Sequence, residues 1–170
     1  KYGEKGIARI AGITTGQVVD AGIRDSMNMG AAMAPAAFHT VMQNLKDLEI
    51  TKKQLESGWY DKIITGDLGK IGKQALAEFI RNEGLEAEEF LMDCGMEIYD
   101  SSDQDTHAGG SGCGCSALVL GALILPNIQA GIWRRVLFIP TGALLSTVSF
   151  NEGQTIPGIA HGIILEGMGK

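Results

Sequence analysis

Some segments of the chain have a hydrophobic pattern typical of strands, and others have apolar positions at helical spacing. These segments follow one another in turn, which predicts alternating strands and helices. Residues 7–24 are rich in β-branched side chains and punctuated by glycine, which is typical of extended chain. The apolar positions of residues 32–48 recur at helical spacing, with Pro35 in the first turn, where a proline is tolerated. The first part of the chain therefore predicts a strand followed by a helix.

The same alternation continues to the end of the chain. It predicts strands at 59–65, 90–93, 134–141 and 155–165, and helices at 71–82 and 112–132, with a polar loop at 97–106. The resulting order is βαβαβαββ. Strands that alternate with helices across short loops indicate an α/β fold, in which helices cover a five-stranded sheet.

Composition and charge narrow the class of protein. The chain has 170 residues, of which 45% are hydrophobic, and this predicts a single globular domain over residues 1–170. A net charge of -6 with scattered basic residues gives no electrostatic footprint for nucleic acid. The longest apolar stretch, 117–125, is shorter than the roughly 20 residues that cross a bilayer. Residues 1–5 lead into no signal-peptide core, so we expect an intracellular protein.

Three cysteines, Cys94, Cys113 and Cys115, form neither an even disulfide framework nor a paired zinc motif. This favours a reducing compartment and no metal site. A thiolate at a helix start would be reactive, but catalysis also needs a base, and His107 is only near in sequence. Both a buried-thiol interpretation and a Cys–His nucleophile therefore stay open.

The segment 107–116 combines four glycines, two serines and two thiols where the third predicted helix begins. Glycine allows sharp turns, and the free N–H groups at a helix start favour an anion, so the segment predicts a cradle for a polar ligand. Alternatively, the glycines only allow close packing, with the cysteines as small buried side chains.

A second candidate element is the turn 65–69, which follows the predicted strand 59–65. Ligands of helix-covered sheets lie beyond the carboxyl ends of strands, where this turn and the segment 107–116 both fall. Asp67 is expected either to share one pocket with His107 or to cap the following helix.

Five unusual motifs occur in one order along the chain. They are VVDAGIRDSMNMGAAMAPAA, ITGDLGKIG, DCGMEIYD, QDTHAGGSGCGCSA and TIPGIAHGIILE. Together they resemble the carboxyl-terminal half of the stage V sporulation protein AD family, over essentially the whole chain. That family is similar in fold to thiolases and ketoacyl synthases, which are built from two homologous halves. The resemblance implies a thiolase-like half with a mixed five-stranded sheet, whose amino-terminal half is absent.

The resemblance also implies that the protein is not an enzyme. In ketoacyl synthases the second half supplies a histidine and an asparagine, and the matching positions here are Gly66 and Gly110. Glycine has no side chain that could polarise a thioester or hold an oxyanion. We expect the loss of two bulky side chains to enlarge the old catalytic cavity, leaving room for a compact polar ligand.

The ligand that the resemblance implies is dipicolinic acid, pyridine-2,6-dicarboxylate, taken up into the forespore during sporulation and released at germination. No cofactor is expected, although contact between Asp67 and the dianion would need either a bridging calcium ion or a partly protonated ligand. The predicted ligand-binding residues are Thr65, Gly66, Asp67, His107, Gly110, Ser111, Gly112 and Cys113. No catalytic residue and no metal ligand is predicted.

Partners and location also follow only from the resemblance. It implies other proteins of the stage V sporulation A operon as partners, including membrane-embedded ones, and a soluble fold peripherally associated with the spore inner membrane. Because thiolase-like halves pack face to face, an isolated half is expected to self-associate or to pair with the missing amino-terminal half. Two other functions stay open, a thiolase-like or ketoacyl-synthase-like acyltransferase and a scaffold for partner proteins.

Overall fold

A mixed five-stranded sheet forms the centre of the structure, a computed structural model that describes residues 6–168. The strands are β1 (Ala8–Thr14), β2 (Lys62–Thr65), β3 (Leu91–Asp93), β4 (Arg135–Ile139), β5 (Thr141–Ala143), β6 (Gly158–Ala160) and β7 (Gly162–Gly167). The main sheet has the order β1-β7-β4-β2-β3, and β5 pairs with β6 in a separate ribbon. β2 is parallel to β3 and β4, whereas β7 is antiparallel to β1 and β4. The predicted α/β fold with a mixed sheet is confirmed.

Helices cover both faces of this sheet. They are α1 (Met29–Asp47), α2 (Lys52–Glu56), α3 (Gly69–Asn82), α4 (Cys94–Glu97), α5 (Cys113–Val119), α6 (Leu125–Gln129) and α7 (Thr147–Asn151). The core between α1, α3 and the sheet contains Ile63 and Leu137, and the core under α5 and α6 contains Ile64 and Val136. Neighbouring strand residues thus point to opposite faces, so both faces of β2 and β4 are buried.

The long strand predicted at 7–24 is wrong in its extent. β1 ends at Thr14, and the following chain crosses to β6, where Val19 and Gly158 exchange two backbone hydrogen bonds. Asp20 then accepts a hydrogen bond from the backbone N–H of Gly22, which has a φ of 75°. A side chain that closes a turn in this way competes with a strand, so extended composition alone overestimated β1.

Several boundaries shift for identifiable reasons. α1 begins at Met29, so Pro35 lies in the second turn of the helix instead of the first. The strand predicted at 134–141 is broken at Pro140, which has no N–H to continue the ladder, into β4 and β5. The strand predicted at 155–165 is divided by His161 into β6 and β7.

Three short helices, α2, α4 and α7, were not predicted. Two of them carry a readable signal, because Thr51 with Gln54 and Ser146 with Ser149 form capping boxes. The third predicted helix is present but is interrupted by a π-helical turn, Leu120–Ile124, between α5 and α6. Pro126 is the second residue of α6, just after this turn. The wider π-helical turn makes room for the proline ring, which would otherwise clash with the backbone carbonyl four residues earlier.

Candidate functional site

The loops that follow three parallel strands meet at one end of the sheet, together with the loop that leads into α5. The backbone N–H of Gly95, after β3, donates to the Gly66 carbonyl at 3.0 Å. The N–H of Gly110 donates in turn to the Gly95 carbonyl at 2.6 Å. This series of backbone bonds holds the turn after β2 against the glycine-rich loop, as expected for ligand-binding loops beyond strand ends.

Asp67 lies at the centre of this arrangement. Its Oδ1 accepts a hydrogen bond from the Thr141 hydroxyl at 3.0 Å, and its Oδ2 accepts one from the Gly112 N–H at 2.8 Å. The Ser111 hydroxyl is 3.5 Å from the same Oδ2. The carboxylate thus already occupies part of the anion cradle that the glycine-rich loop was predicted to form.

Asp93, at the end of β3, is the polar residue that the sequence analysis missed. Its side chain is fully buried, and it accepts hydrogen bonds from the Thr65 hydroxyl at 2.6 Å and from the N–H groups of Leu68 and Gly69, both at 2.9 Å. Asp93 therefore satisfies the free N–H groups at the start of α3. The alternative that Asp67 caps this helix is wrong. The sequence carried a readable signal for it, an acidic residue at the end of a buried strand.

The hydroxyl of Thr65 is committed to this buried network. Its side chain is 1% exposed, and its oxygen lies 2.6 Å from an Asp93 carboxylate oxygen and 3.3 Å from the Met92 carbonyl. A hydroxyl can donate only one hydrogen bond, and Thr65 donates it to the Asp93 carboxylate. Thr65 thus positions the loop, and the geometry leaves it no proton for a ligand.

The prediction that glycine at positions 66 and 110 enlarges a cavity is wrong. A Cβ on Gly66 would lie 2.7 Å from both the N and the Oγ1 of Thr141. A Cβ on Gly110 would lie 2.6 Å from Ile98 and 3.0 Å from Tyr99. Neighbouring atoms have therefore filled the space that bulkier side chains would need.

A smaller cavity remains on the α1 side of these loops. It measures about 130 Å³ and is lined by residues 26–30, Met33, residues 67–69 and residues 108–111. Asp67, Gly110 and Ser111 from the predicted set reach it. His107 does not, because it lines a separate surface groove with residues 101–106. The expectation that Asp67 and His107 share one pocket is wrong.

His107 is directed away from the loops that carry Asp67. Its side chain is 89% exposed, and the contact of its Nδ1 is with Asp105 at 3.5 Å. Its backbone φ is 51°, a left-handed conformation that few residues other than glycine adopt. The backbone conformation of His107 is held by the turn in which the Gly109 N–H donates to the Thr106 carbonyl, and not by packing of its exposed side chain.

The three cysteines differ in burial and in chemistry. Cys113 is the exposed first residue of α5, and it follows Gly112, whose φ of 107° favours glycine. Burial raises the pKa of the Cys94 thiol to about 12, with a further contribution from the Asp93 charge. Burial and the charges of Asp67 and Asp93 also raise the pKa of Cys115. Only Cys113 is placed to meet a solvent-borne reagent.

Metal-ligand clusters and membrane-spanning helices are both absent from residues 6–168. In that part of the chain, no cluster of three or more histidine, cysteine or acidic side chains is arranged to hold a metal ion. Nor does it contain a helix with the length and apolar character needed to cross a membrane.

Comparison with known proteins agrees with the motif resemblance. Residues 3–166 match the family model described as Stage V sporulation protein AD (SpoVAD). The chain is also similar to the Stage V sporulation protein AD of Bacillus subtilis (strain 168), with 42% identity over 164 residues. That match covers 96% of this chain and 47% of the relative, so the chain spans about half the length of the curated relative that it matches.

Proposed function

The chain belongs to the Stage V sporulation protein AD family, and on that premise we propose that it contributes a non-enzymatic binding site for dipicolinic acid. The bound acid would be taken up into the forespore during sporulation and released at germination. The observation that carries the proposal is the convergence of the turn after β2 and the loop before α5, which places Asp67, Gly110 and Ser111 around one small cavity.

The donors that remain for a ligand are Ser111 and the start of α5. The N–H groups of Gly110 and Gly112 are engaged by Gly95 and Asp67. Within residues 6–168, no acceptor engages the N–H of Ser111 or Cys113. The Ser111 hydroxyl, 3.5 Å from Asp67, is exposed and free to turn towards a carboxylate.

The negative charge of Asp67 makes dipicolinate binding depend on calcium in this proposal. A dianion that enters the cradle meets the Asp67 carboxylate, and like charges at short range repel one another. Calcium prefers six to eight oxygen ligands and can bridge carboxylates. We therefore propose that dipicolinate binds together with calcium, or binds after Asp67 gives up its bond to the Gly112 N–H.

The fit of Gly66 and Gly110 supports a binding role over condensation chemistry. A side chain at Gly66 would collide with the backbone of Thr141, and one at Gly110 would collide with Ile98. The two positions that resemble the histidine and asparagine of ketoacyl synthases thus have no room for such groups without rearrangement. This supports the absence of an electrophilic partner for a thioester.

The test is calorimetric titration of dipicolinate, with and without calcium, into this chain and into a full-length relative. Ser111→Ala is expected to weaken binding about tenfold, since it removes a hydrogen bond to a charged group. Ser101→Ala, on an exposed loop, is the matched control. Asp67→Asn is expected to strengthen binding without calcium and to reduce the benefit of calcium. No heat of binding in the full-length relative under either condition would contradict the proposal.

A second candidate function, acyl transfer through a thiol, is favoured by the exposure of Cys113 at the start of α5. The raised pKa of Cys115 disfavours that residue as the nucleophile. Acyl-thioester consumption that is lost in Cys113→Ser would support acyl transfer. Dipicolinate binding without turnover would support the binder.

Partners and location complete the proposal. We propose that the protein acts beside other proteins of the stage V sporulation A operon, including membrane-embedded ones, and associates peripherally with the spore inner membrane. A scaffold function would retain partner binding when dipicolinate binding is lost. Co-purification of the Ser111→Ala variant with those partners therefore separates the two functions.

A further inference from the structure

A groove of about 490 Å³ lies at the end of the sheet opposite the candidate site, where the parallel strands β2 and β4 begin. Residues 57–59, Asp61, residues 134–135 and residues 166–167 line it. Its volume is within the range of small-molecule pockets in proteins. Neither the proposed dipicolinate site nor its residues extend to this end of the sheet.

Two arginines and two acidic residues line the groove, and Arg9 reaches one of the acidic side chains from outside this lining. Glu166 accepts a hydrogen bond from Arg135 Nε at 2.7 Å and another from Arg9 Nη2 at 2.6 Å. Asp61 accepts bonds from the backbone N–H groups of Arg134 and Arg135, and Arg134 Nη2 lies 3.3 Å from its other oxygen. Three guanidinium groups thus surround two carboxylates, although the whole chain has a net charge of -6.

Much of the donor capacity of these arginines is unused. A guanidinium has five N–H donors in a planar fork. Among acceptors in residues 6–168, the Arg135 side chain bonds only through Nε and the Arg134 side chain only through Nη2. The Arg134 side chain is also 81% exposed. Terminal N–H groups of both arginines are therefore available at the groove.

Trp59 holds one of these forks in place. The guanidinium carbon of Arg135 lies 4.4 Å from the centroid of the Trp59 ring, within range of a cation–π interaction. A fork fixed by stacking and by Glu166 loses little conformational freedom when it binds an oxyanion. The groove is thus organised before any ligand arrives.

We propose that this groove binds a phosphate group carried by a larger molecule. Planar guanidinium forks match phosphate oxygens in bidentate geometry, and N–H groups that the two carboxylates leave unused favour an anionic acceptor. A phosphate monoester has three non-bridging oxygens to share between two forks, one more than a carboxylate has. The groove has space for more than a bare phosphate, so the group belongs to a soluble phosphate ester or to a lipid headgroup.

Intrinsic fluorescence provides a direct test, because Trp59 and Trp133 are the two tryptophans of the sequence. In a Trp133→Phe background, titration with inorganic phosphate at constant ionic strength is expected to change Trp59 emission saturably. Arg134→Gln is expected to weaken this response about tenfold or more, since it removes charge-assisted hydrogen bonds. Arg81→Gln, which alters a half-exposed arginine on α3, is the matched control.

Vesicles distinguish the two sources of phosphate. Sedimentation is measured with phosphatidic acid vesicles, whose headgroup is a phosphate monoester, and with phosphatidylcholine vesicles as the control. Binding to the phosphatidic acid vesicles alone identifies a lipid headgroup, and binding of free phosphate alone identifies a soluble ester. Either result supports the proposal if Arg134→Gln reduces it and Arg81→Gln does not. The proposal is overturned if neither probe binds, or if both variants bind as the parent does. Dipicolinate titration is a separate measurement, so the two proposals fail independently.

Discussion

Asp93 and Thr65 face each other at the carboxyl ends of two parallel strands, with 2.6 Å between the carboxylate Oδ2 and the hydroxyl oxygen. The same carboxylate accepts the first N–H groups of α3, at Leu68 and Gly69. One buried side chain therefore connects two strands and a helix start, and Asp67 lies on the turn that it holds. The geometry of the candidate site depends on a residue that no ligand needs to touch.

Asp93→Ala is expected to destabilise the protein by about 3 kcal/mol or more, because it leaves a buried hydroxyl and two buried N–H groups without an acceptor. For a chain of this size that loss lowers the melting temperature by about 6 °C or more. Thermal unfolding followed by circular dichroism measures it. Asp105→Ala, at an 89% exposed position, should melt like the parent. Equal melting of both variants would contradict the role assigned to Asp93.

The sequence predicts the sheet better than it predicts the site, for physical reasons. Burial of both faces of β2 and β4 requires continuous apolar runs, which are visible in sequence, and each of the five strands of the main sheet overlaps a predicted strand. The order of the strands within the sheet depends on tertiary contacts. The partner of a polar side chain is set by tertiary contact. Asp93 caps α3 across a parallel strand pair, and Ile98 fills the space beside Gly110. Local spacing can mark Asp93 as an acidic residue at a strand end, but it does not identify the partner in either contact.

Gly110→Asn is expected to be poorly tolerated, which reverses the expectation of an open cavity. A Cβ there would lie 2.6 Å from Ile98, so overpacking should cost about 1–3 kcal/mol. Ile98→Ala in the same chain should recover part of that loss, as a double-mutant cycle would measure. Gly114→Ala, where a Cβ meets nothing within 4 Å, is the control and should not destabilise. A parent-like melting curve for Gly110→Asn would restore the cavity hypothesis.

One thiol of the three is expected to react with a disulfide reagent near pH 8 in the folded protein, and all three in denaturant. Cys94 is fully buried and has a pKa of about 12, while Cys115 is 3% exposed with a raised pKa, so both stay protonated and inaccessible. Absorbance of the released thiolate counts the reacted groups. Cys113→Ser should abolish the native reaction. A residual fast reaction in that variant would show that the buried thiols open to solvent.

Lowering the pH is expected to remove the contribution of the Glu166 carboxylate to the free energy of unfolding. Arg135 and Arg9 lower its pKa below the usual 4.5, so its carboxylate stabilises the fold above about pH 4.5, and this is lost as the pH falls through the lowered value. Glu166→Gln should melt below the parent at pH 7, by less than about 1 kcal/mol because Arg9 is largely exposed. The difference should shrink in acid. Glu89→Gln, at an exposed position, provides the comparison.

The polypeptide of residues 1–170 is expected to self-associate, because large apolar side chains are exposed on β1 and on α5. Ile13 on the edge strand β1 is 71% exposed, and Leu118 on α5 is 58% exposed. Exposed apolar surface and an unpaired strand edge both favour contact with another chain. Sedimentation velocity at high micromolar concentration measures the association, which should weaken in Leu118→Lys if α5 carries it and in Ile13→Lys if β1 does. Ile71→Lys, on the outer side of α3, is the control, and a monomeric parent at that concentration would contradict the prediction.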